Sequence, residues 1–224
     1  MPPPSRKTAA PGDAAASDAD PRRRAVSREQ RRREILEAAL AEFAAHGYAQ
    51  AKLDLVARRA GIAKGTLYLY FADKEALFGA LVEETLSPAL GDAQVLIAGF
   101  EGTTRDLLDA LLTLLTARVL EAPTAALIRL MIAEGPRFPA LAGFYHREVV
   151  SRGLALIRQM AQRGLDRGEI SSDAALRFPQ LVVAPAVLAL VWNGLFSTIE
   201  PLDTRALLAA HRDLLLAGLG WRQT

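Results

Sequence analysis

Leu53-Asp-Leu-Val-Ala-Arg-Arg-Ala-Gly-Ile-Ala-Lys-Gly-Thr-Leu-Tyr-Leu-Tyr-Phe-Ala-Asp-Lys-Glu-Ala-Leu77 reads as two short helices joined by a tight turn, with a third helix beginning behind them. The first ends at Gly61, where a positive φ costs glycine little. Ala57 and Ala60 are small, so the two helices can cross closely. The second helix opens with Lys64, Gly65 and Thr66. This is a helix–turn–helix, a geometry that places its second helix in a DNA major groove. At the exposed start of that helix Lys64 can reach a guanine edge or a phosphate, and Gly65 lets the backbone approach. Thr66, Tyr68 and Tyr70 carry hydroxyls able to bond phosphates, the reading favoured for both tyrosines over packing as amphipathic rings.

Upstream, Ser27-Arg-Glu-Gln30 has the form of a capping box. The helix it opens carries Ile35, Ala39 and Phe43 at four-residue spacing and stops at Gly47. Arg31, Arg32 and Arg33 lie where the helix dipole disfavours positive charge; phosphates would relieve that penalty, and a solvated face is the alternative. Residues 1–26 are rich in Pro, Ala, Ser and Asp and cannot bury a core, so a disordered basic tail is expected. Its Arg22–Arg24 cluster suits a DNA-following arm and a solvated tail equally well. Downstream, Asp73 caps a helix with Leu77, Phe78, Leu81, Val82 and Leu86 along one side, expected to kink or break at Pro88–Gly91. Helices follow from Thr103 or Thr104 to about Leu120, from Pro123 to about Glu134, and, after the breaker Gly135–Pro139, to about Arg167. The last two span roughly Asp173–Glu200 and Asp203–Gly218.

The chain has 224 residues, 51% of them hydrophobic, with few β-branched runs, which predicts an all-α fold. The net charge of +2 is unevenly divided: residues 1–74 hold 14 Lys/Arg against 9 Asp/Glu, and residues 75–224 hold 13 against 16. A basic front and a mildly acidic back suit a nucleic-acid module joined to something else. The expected organisation is therefore a tail over 1–26, an N-terminal three-helix DNA-binding domain over 27–74, and a C-terminal helical bundle over 75–224. No cysteine is present, which excludes disulfides and Cys-type zinc sites. His46, His146 and His211 lack ligand spacing, so neither metal nor cofactor is expected.

Phe178–Ile199 carries no charge over 22 residues, long enough to span a bilayer. It contains Pro179, Gln180, Pro185, Asn193, Ser197 and Thr198, with no second span elsewhere, so a buried core or interface helix is the reading. With no apolar signal segment in the first thirty residues, a cytoplasmic protein is expected. An enzyme is not: Gly61-Ile-Ala-Lys-Gly-Thr66 lacks phosphate-loop spacing and a preceding strand, and no Ser–His–acid set or carboxylate pair can be placed together. The rival to a sequence-specific regulator is a non-specific architectural DNA-binding protein, against which the acidic back half argues.

The stretch from Ala39 to Leu81 resembles the N-terminal domain of the tetracycline-repressor (TetR/AcrR) family. The matching positions are Ala39, Phe43, Gly47, Tyr48, Val56-Ala57, Ala60-Gly61-Ile62, Lys64-Gly65-Thr66-Leu67-Tyr68, Tyr70-Phe71, Lys74-Glu75 and Leu77-Phe78. Glu134–Pro139 with Phe144-Tyr145 is similar to the ligand domain of the AefR-like branch. The resemblance implies a ligand-released repressor and makes Lys74 a clamp on the DNA backbone. The sequence departs from the family at Ala51-Lys52, where Ser or Thr commonly caps the second helix. Lys52 cannot cap, at a cost of about 0.5–2 kcal/mol, and is expected to make a stronger phosphate contact instead.

The leucine-rich back half could hold a small apolar effector, with Met131, Phe138, Phe144, Tyr145, Trp192 and Phe196 as lining residues, core packing being the alternative for each. Asn193, an amide in an apolar helix, must orient a ligand or satisfy a backbone group. The last two helices have more apolar surface than a small monomer covers, and the resemblance implies that they form a four-helix bundle in a homodimer. Two-fold symmetry would match a palindromic operator, and an effector would release it by population shift.

Overall fold

The computed structural model describes residues 21–120 and 124–222, with side chains from Ser27 onward. Helix α1 (Pro21–Gln50) begins before Ser27, so Ser27–Gln30 sits inside the helix and caps nothing. Residues 1–20 of the expected tail lie outside the described residues. Gly47 interrupts α1 with φ 72° and ψ 167°, a conformation almost confined to glycine. α2 (Leu53–Arg59) and α3 (Lys64–Tyr68) follow, turning at Gly61 (φ 66°), where the Ile62 N–H returns to the Ala57 carbonyl at 3.0 Å.

Asp73 opens α4 (Lys74–Ala98), its carboxylate accepting the Ala76 N–H at 2.7 Å. Of the expected kink or break at Pro88–Gly91 the break is absent: α4 runs on with Pro88 inside it, flanked by buried Leu86 and Ala89. Thr103 and Asp106 form a reciprocal capping box at the start of α5 (Thr104–Leu115), which continues into a π-helical turn over Thr116–Leu120. α6 (Thr124–Glu134) ends in a tight turn at Gly135–Arg137, and α7 (Pro139–Tyr145) joins α8 (Ser151–Asp166) through a second π-helical turn. The uncharged helix expected as one piece is two, α9 (Ala174–Arg177) and α10 (Gln180–Phe196). Pro179 causes the split, because the residue before a proline is pushed out of the helical region, and Phe178 has φ −129° and ψ 68°. Asp203 caps α11 (Thr204–Gly218), as the sequence predicts.

Among the described residues there is no strand, and no single helix is long and apolar enough to cross a membrane. The helices enclose two apolar clusters. One crosses residue 74 without interruption: Phe43, Tyr48, Val56, Leu67 and Phe78 pack with Leu127, Met131 and Leu141. Its centre is Tyr48, whose ring lies 5.7 Å from Phe43, 5.4 Å from Phe78 and 4.9 Å from Phe138. The other joins α5, α8, α10 and α11 through Leu107, Leu108, Met160, Val182, Leu208 and Leu216. Beside it the buried Glu169 carboxylate accepts the Thr104 N–H at 2.6 Å and pairs with Arg167 at 2.9 Å.

At Gly47 an added Cβ would lie 2.7 Å from Glu134 Oε1 as well as in forbidden backbone space. Gly47→Ala is therefore expected to destabilise by about 1–3 kcal/mol, read as a lower urea midpoint at unchanged slope. Tyr145 gives a pH signature. Burial pushes its hydroxyl from 10.0 up to about 12, so the fold favours the protonated phenol. Its contribution is complete below 10.0 and is lost as pH rises toward about 12. Tyr145→Phe should flatten the alkaline fall in stability over that window, with residual slope left by Tyr48, which burial also raises.

Candidate nucleic-acid interface

Buried Leu67 and Phe71 fasten α3 and its following turn to the core, while Val56 and Ala57 fasten α2. The opposite side of α3 is open. Lys64, Gly65, Tyr68 and Leu69 are exposed there, Tyr68 by 45% and Leu69 by 78%. A Cβ on Gly65 would meet nothing within 4 Å, so the expected close backbone approach is unobstructed. Lys64 Nζ lies 2.7 Å from Asp54 Oδ1 and ties α3 to α2. That hydrogen bond raises the Lys64 pKa and lowers that of Asp54. Both groups are in solvent, where such a pair is worth little, so Lys64 can exchange Asp54 for a phosphate or a base edge. Thr66 is half-buried. Tyr70 is also half-buried, and the Arg28 guanidinium covers its ring at 5.9 Å.

Lys52 is exposed at the start of α2 and makes no capping bond through its side chain, as the sequence predicts. Its backbone N–H points instead to Glu42 Oε1 at 3.4 Å. Glu42 is only 1% exposed, with His46 Nδ1 at 3.3 Å and an Arg59 guanidinium nitrogen at 3.9 Å. It is a buried carboxylate bracing α1 against α2 that the sequence reading missed. The signal was available: Glu42 falls seven residues after Ile35, on the buried stripe of α1, where a carboxylate needs partners.

Lys74, expected as a phosphate clamp, is engaged within the protein. Its ammonium donates to the carbonyls of Tyr48 at 2.7 Å, Ala49 at 3.1 Å and Ala51 at 3.1 Å, and lies 4.9 Å from the Tyr48 ring. A lysine has three N–H donors, and all are spent inside the protein. Burial lowers its pKa, opposed by the Glu134 carboxylate. The arginine run is also engaged: Arg32 bonds Glu84 of α4, Arg33 lies 3.9 Å from the same carboxylate, and Arg31 pairs with Glu34 at 2.6 Å.

The residues expected to line an effector cavity do not gather around one. Met131 is core, Phe138 stacks edge-on against Tyr48, and Phe144 lies against Gly79 of α4. Asn193 takes the backbone alternative: it accepts the Leu202 N–H at 2.8 Å and donates to the Leu202 carbonyl at 3.0 Å and Thr204 Oγ1 at 3.3 Å. Trp192 donates to the Glu200 carbonyl at 2.8 Å and meets Phe196 edge-on at 5.1 Å. Trp192 and Asn193 thus brace the bend between α10 and α11. Of these residues, Phe144 lines a surface groove, a 350 Å³ cleft between α4 and α7. A second groove of 270 Å³ lies between α5 and α11, lined by Leu112, Thr113, Leu208 and Arg212. Along α10, Leu181, Leu188 and Leu195 face outward at seven-residue spacing, with Leu195 65% exposed and Leu214 of α11 exposed as well.

Comparison with known proteins agrees with this arrangement. Residues 35–81 match the model for bacterial regulatory proteins of the tetR family, and residues 101–213 match the tetracyclin repressor-like C-terminal domain. An HTH-type transcriptional regulator of Mycobacterium bovis is 34% identical over 145 residues, covering 64% of this chain and 67% of that protein. An HTH-type transcriptional repressor of Streptomyces coelicolor is 31% identical over 135 residues, covering 58% and 65%. A solved TetR-family transcriptional regulator from Mesorhizobium loti superposes with a TM-score of 0.69 at 26% identity, over 86% of this chain and 98% of that one. With an open reading helix on a buried three-helix frame and both halves matched, the chain belongs to the TetR family of DNA-binding transcriptional regulators.

Proposed function

We propose that the protein is a cytoplasmic homodimeric repressor that binds a palindromic operator and leaves it when a small effector binds the back half. The observation that carries this reading is the outward side of α3. Lys64, Gly65 and Tyr68 stand clear of the protein on a helix whose other side is fixed by Leu67 and Phe71. In this role Lys64 and Gly65 face base edges, while Thr66, Tyr68 and Lys52 contact the sugar–phosphate backbone. Tyr70 and Lys74 shape the frame that holds them.

The dimer forms through α10 and α11. Leu181, Leu188, Leu195 and Leu214 are apolar side chains left in solvent by the single chain, and a two-fold contact between these helices would cover them while setting the spacing of two reading heads. The effector acts at the cleft between α4 and α7, lined by Gly79, Leu141 and Phe144, next to Phe138 at the start of α7. Movement there reaches α1 through the Tyr48–Phe138 contact, and an effector that favours one arrangement of that contact would shift the population of reading heads.

Selection of random genomic fragments at near-physiological salt should recover one short palindrome; fragments without a common motif would favour the architectural reading. Leu195→Glu should yield a monomer by sedimentation and weaken operator binding by on the order of 100-fold, through loss of the second half-site. Lys52→Ser should lower the salt slope of operator binding by roughly one unit, since one phosphate contact disappears. The same change restores a capping side chain and should raise stability by about 0.5–1 kcal/mol.

A further inference from the structure

We infer that Leu69 is a specificity-determining residue that reads the 5-methyl group of a thymine in each operator half-site. This rests on the operator-binding reading above and goes beyond it, because neither the turn motif nor the basic residues select a base by apolar contact.

Leu69 lies two residues beyond Leu67, about 200° further round a helix of 3.6 residues per turn. Leu67 and Phe71 are buried and aim at the core, so Leu69 is carried to the opposite side and is 78% exposed. A leucine left in solvent is ordinary on a protein surface; its position here is what matters. It stands one turn after Gly65, where nothing occupies the space a side chain would take, and next to Tyr68, which is open as well. A duplex approaching Lys64 and Gly65 therefore meets the Leu69 side chain unscreened. Tyr70 does not compete for that surface, since it is half-buried beneath Arg28.

An alkyl group in the major groove cannot join the hydrogen-bond code. Against the amino, carbonyl and ring-nitrogen edges of the other bases it would leave polar groups without partners, at a cost. The apolar feature of the major-groove edge is the thymine methyl. Leu69 thus gains by burying a methyl and loses against a polar edge, which discriminates thymine from cytosine at one position. Burial of one methyl corresponds to about a fourfold change in affinity per half-site. Two independent half-sites give about 15-fold.

The test uses the full-length protein and the operator it selects. Each thymidine is replaced in turn, symmetrically in both half-sites, by deoxyuridine, which removes the methyl and keeps the pairing face. Wild type is expected to lose about 15-fold at one symmetric pair of positions and little elsewhere. In Leu69→Ala, which changes an exposed side chain, the same replacement should have no effect, while the thermal unfolding midpoint should match wild type. A deoxyuridine scan without effect on wild type, or one whose effect persists in Leu69→Ala, overturns the inference while leaving operator binding intact. Failure to select any operator overturns the operator reading and this inference together.

Discussion

The Lys74 ammonium, gathered by the carbonyls of Tyr48, Ala49 and Ala51, fixes the point where three directions of chain are set. Gly47 has just ended the main run of α1, Ala51 leads into α2, and Lys74 itself starts α4. A charge withdrawn from water must be repaid in hydrogen bonds, and here all of them come from backbone that would otherwise lack partners at a helix end. The Tyr48 ring beneath the ammonium packs on Phe43, Phe78 and Phe138. Polar stitching and aromatic packing therefore hold the same few residues, and the orientation of α2 and α3 follows from them.

The head is consequently not an independent bead on a linker. Phe138 reaches it from the turn after α6, Arg32 reaches back to Glu84 of α4, and the Glu134 carboxylate lies against Gly47. Glu134 Oε2 faces the Arg137 guanidinium at 4.0 Å, so the carboxylate links the turn after α6 to the end of the main run of α1. A core that runs unbroken from Val56 to Leu127 transmits displacement, since close-packed side chains have few alternative arrangements. The proposed effector response rests on this continuity of packing.

At the other end, α10 resolves an ambiguity that uncharged helices always carry. Val182, Ala186, Ala189 and Leu190 face inward and Leu181, Leu188 and Leu195 outward. Both sides are apolar, the inner one covered by the core and the outer one left in solvent by the single chain, and Trp192 and Asn193 brace the bend to α11 by spending their polar atoms on Glu200, Leu202 and Thr204.

The sequence by itself determined the all-helical class, the helix–turn–helix, the caps at Asp73, Thr103 and Asp203, the Gly47 stop and the missing cap at Lys52. Each of these is local: a few neighbouring residues settle φ, a capping bond or a period, so the string suffices. Only the tertiary structure decided which side chains remain available. Lys74 carries a charge suited to phosphate, yet a carbonyl cage from residues more than twenty positions away consumes it. Asn193 and Trp192 resembled cavity residues until the chain after Pro201 folded back to meet them. Glu42 and Leu69 gained significance in opposite senses, the carboxylate by being buried and the leucine by being left in solvent. Burial and hydrogen-bond satisfaction depend on what distant segments bring, and no local pattern encodes them.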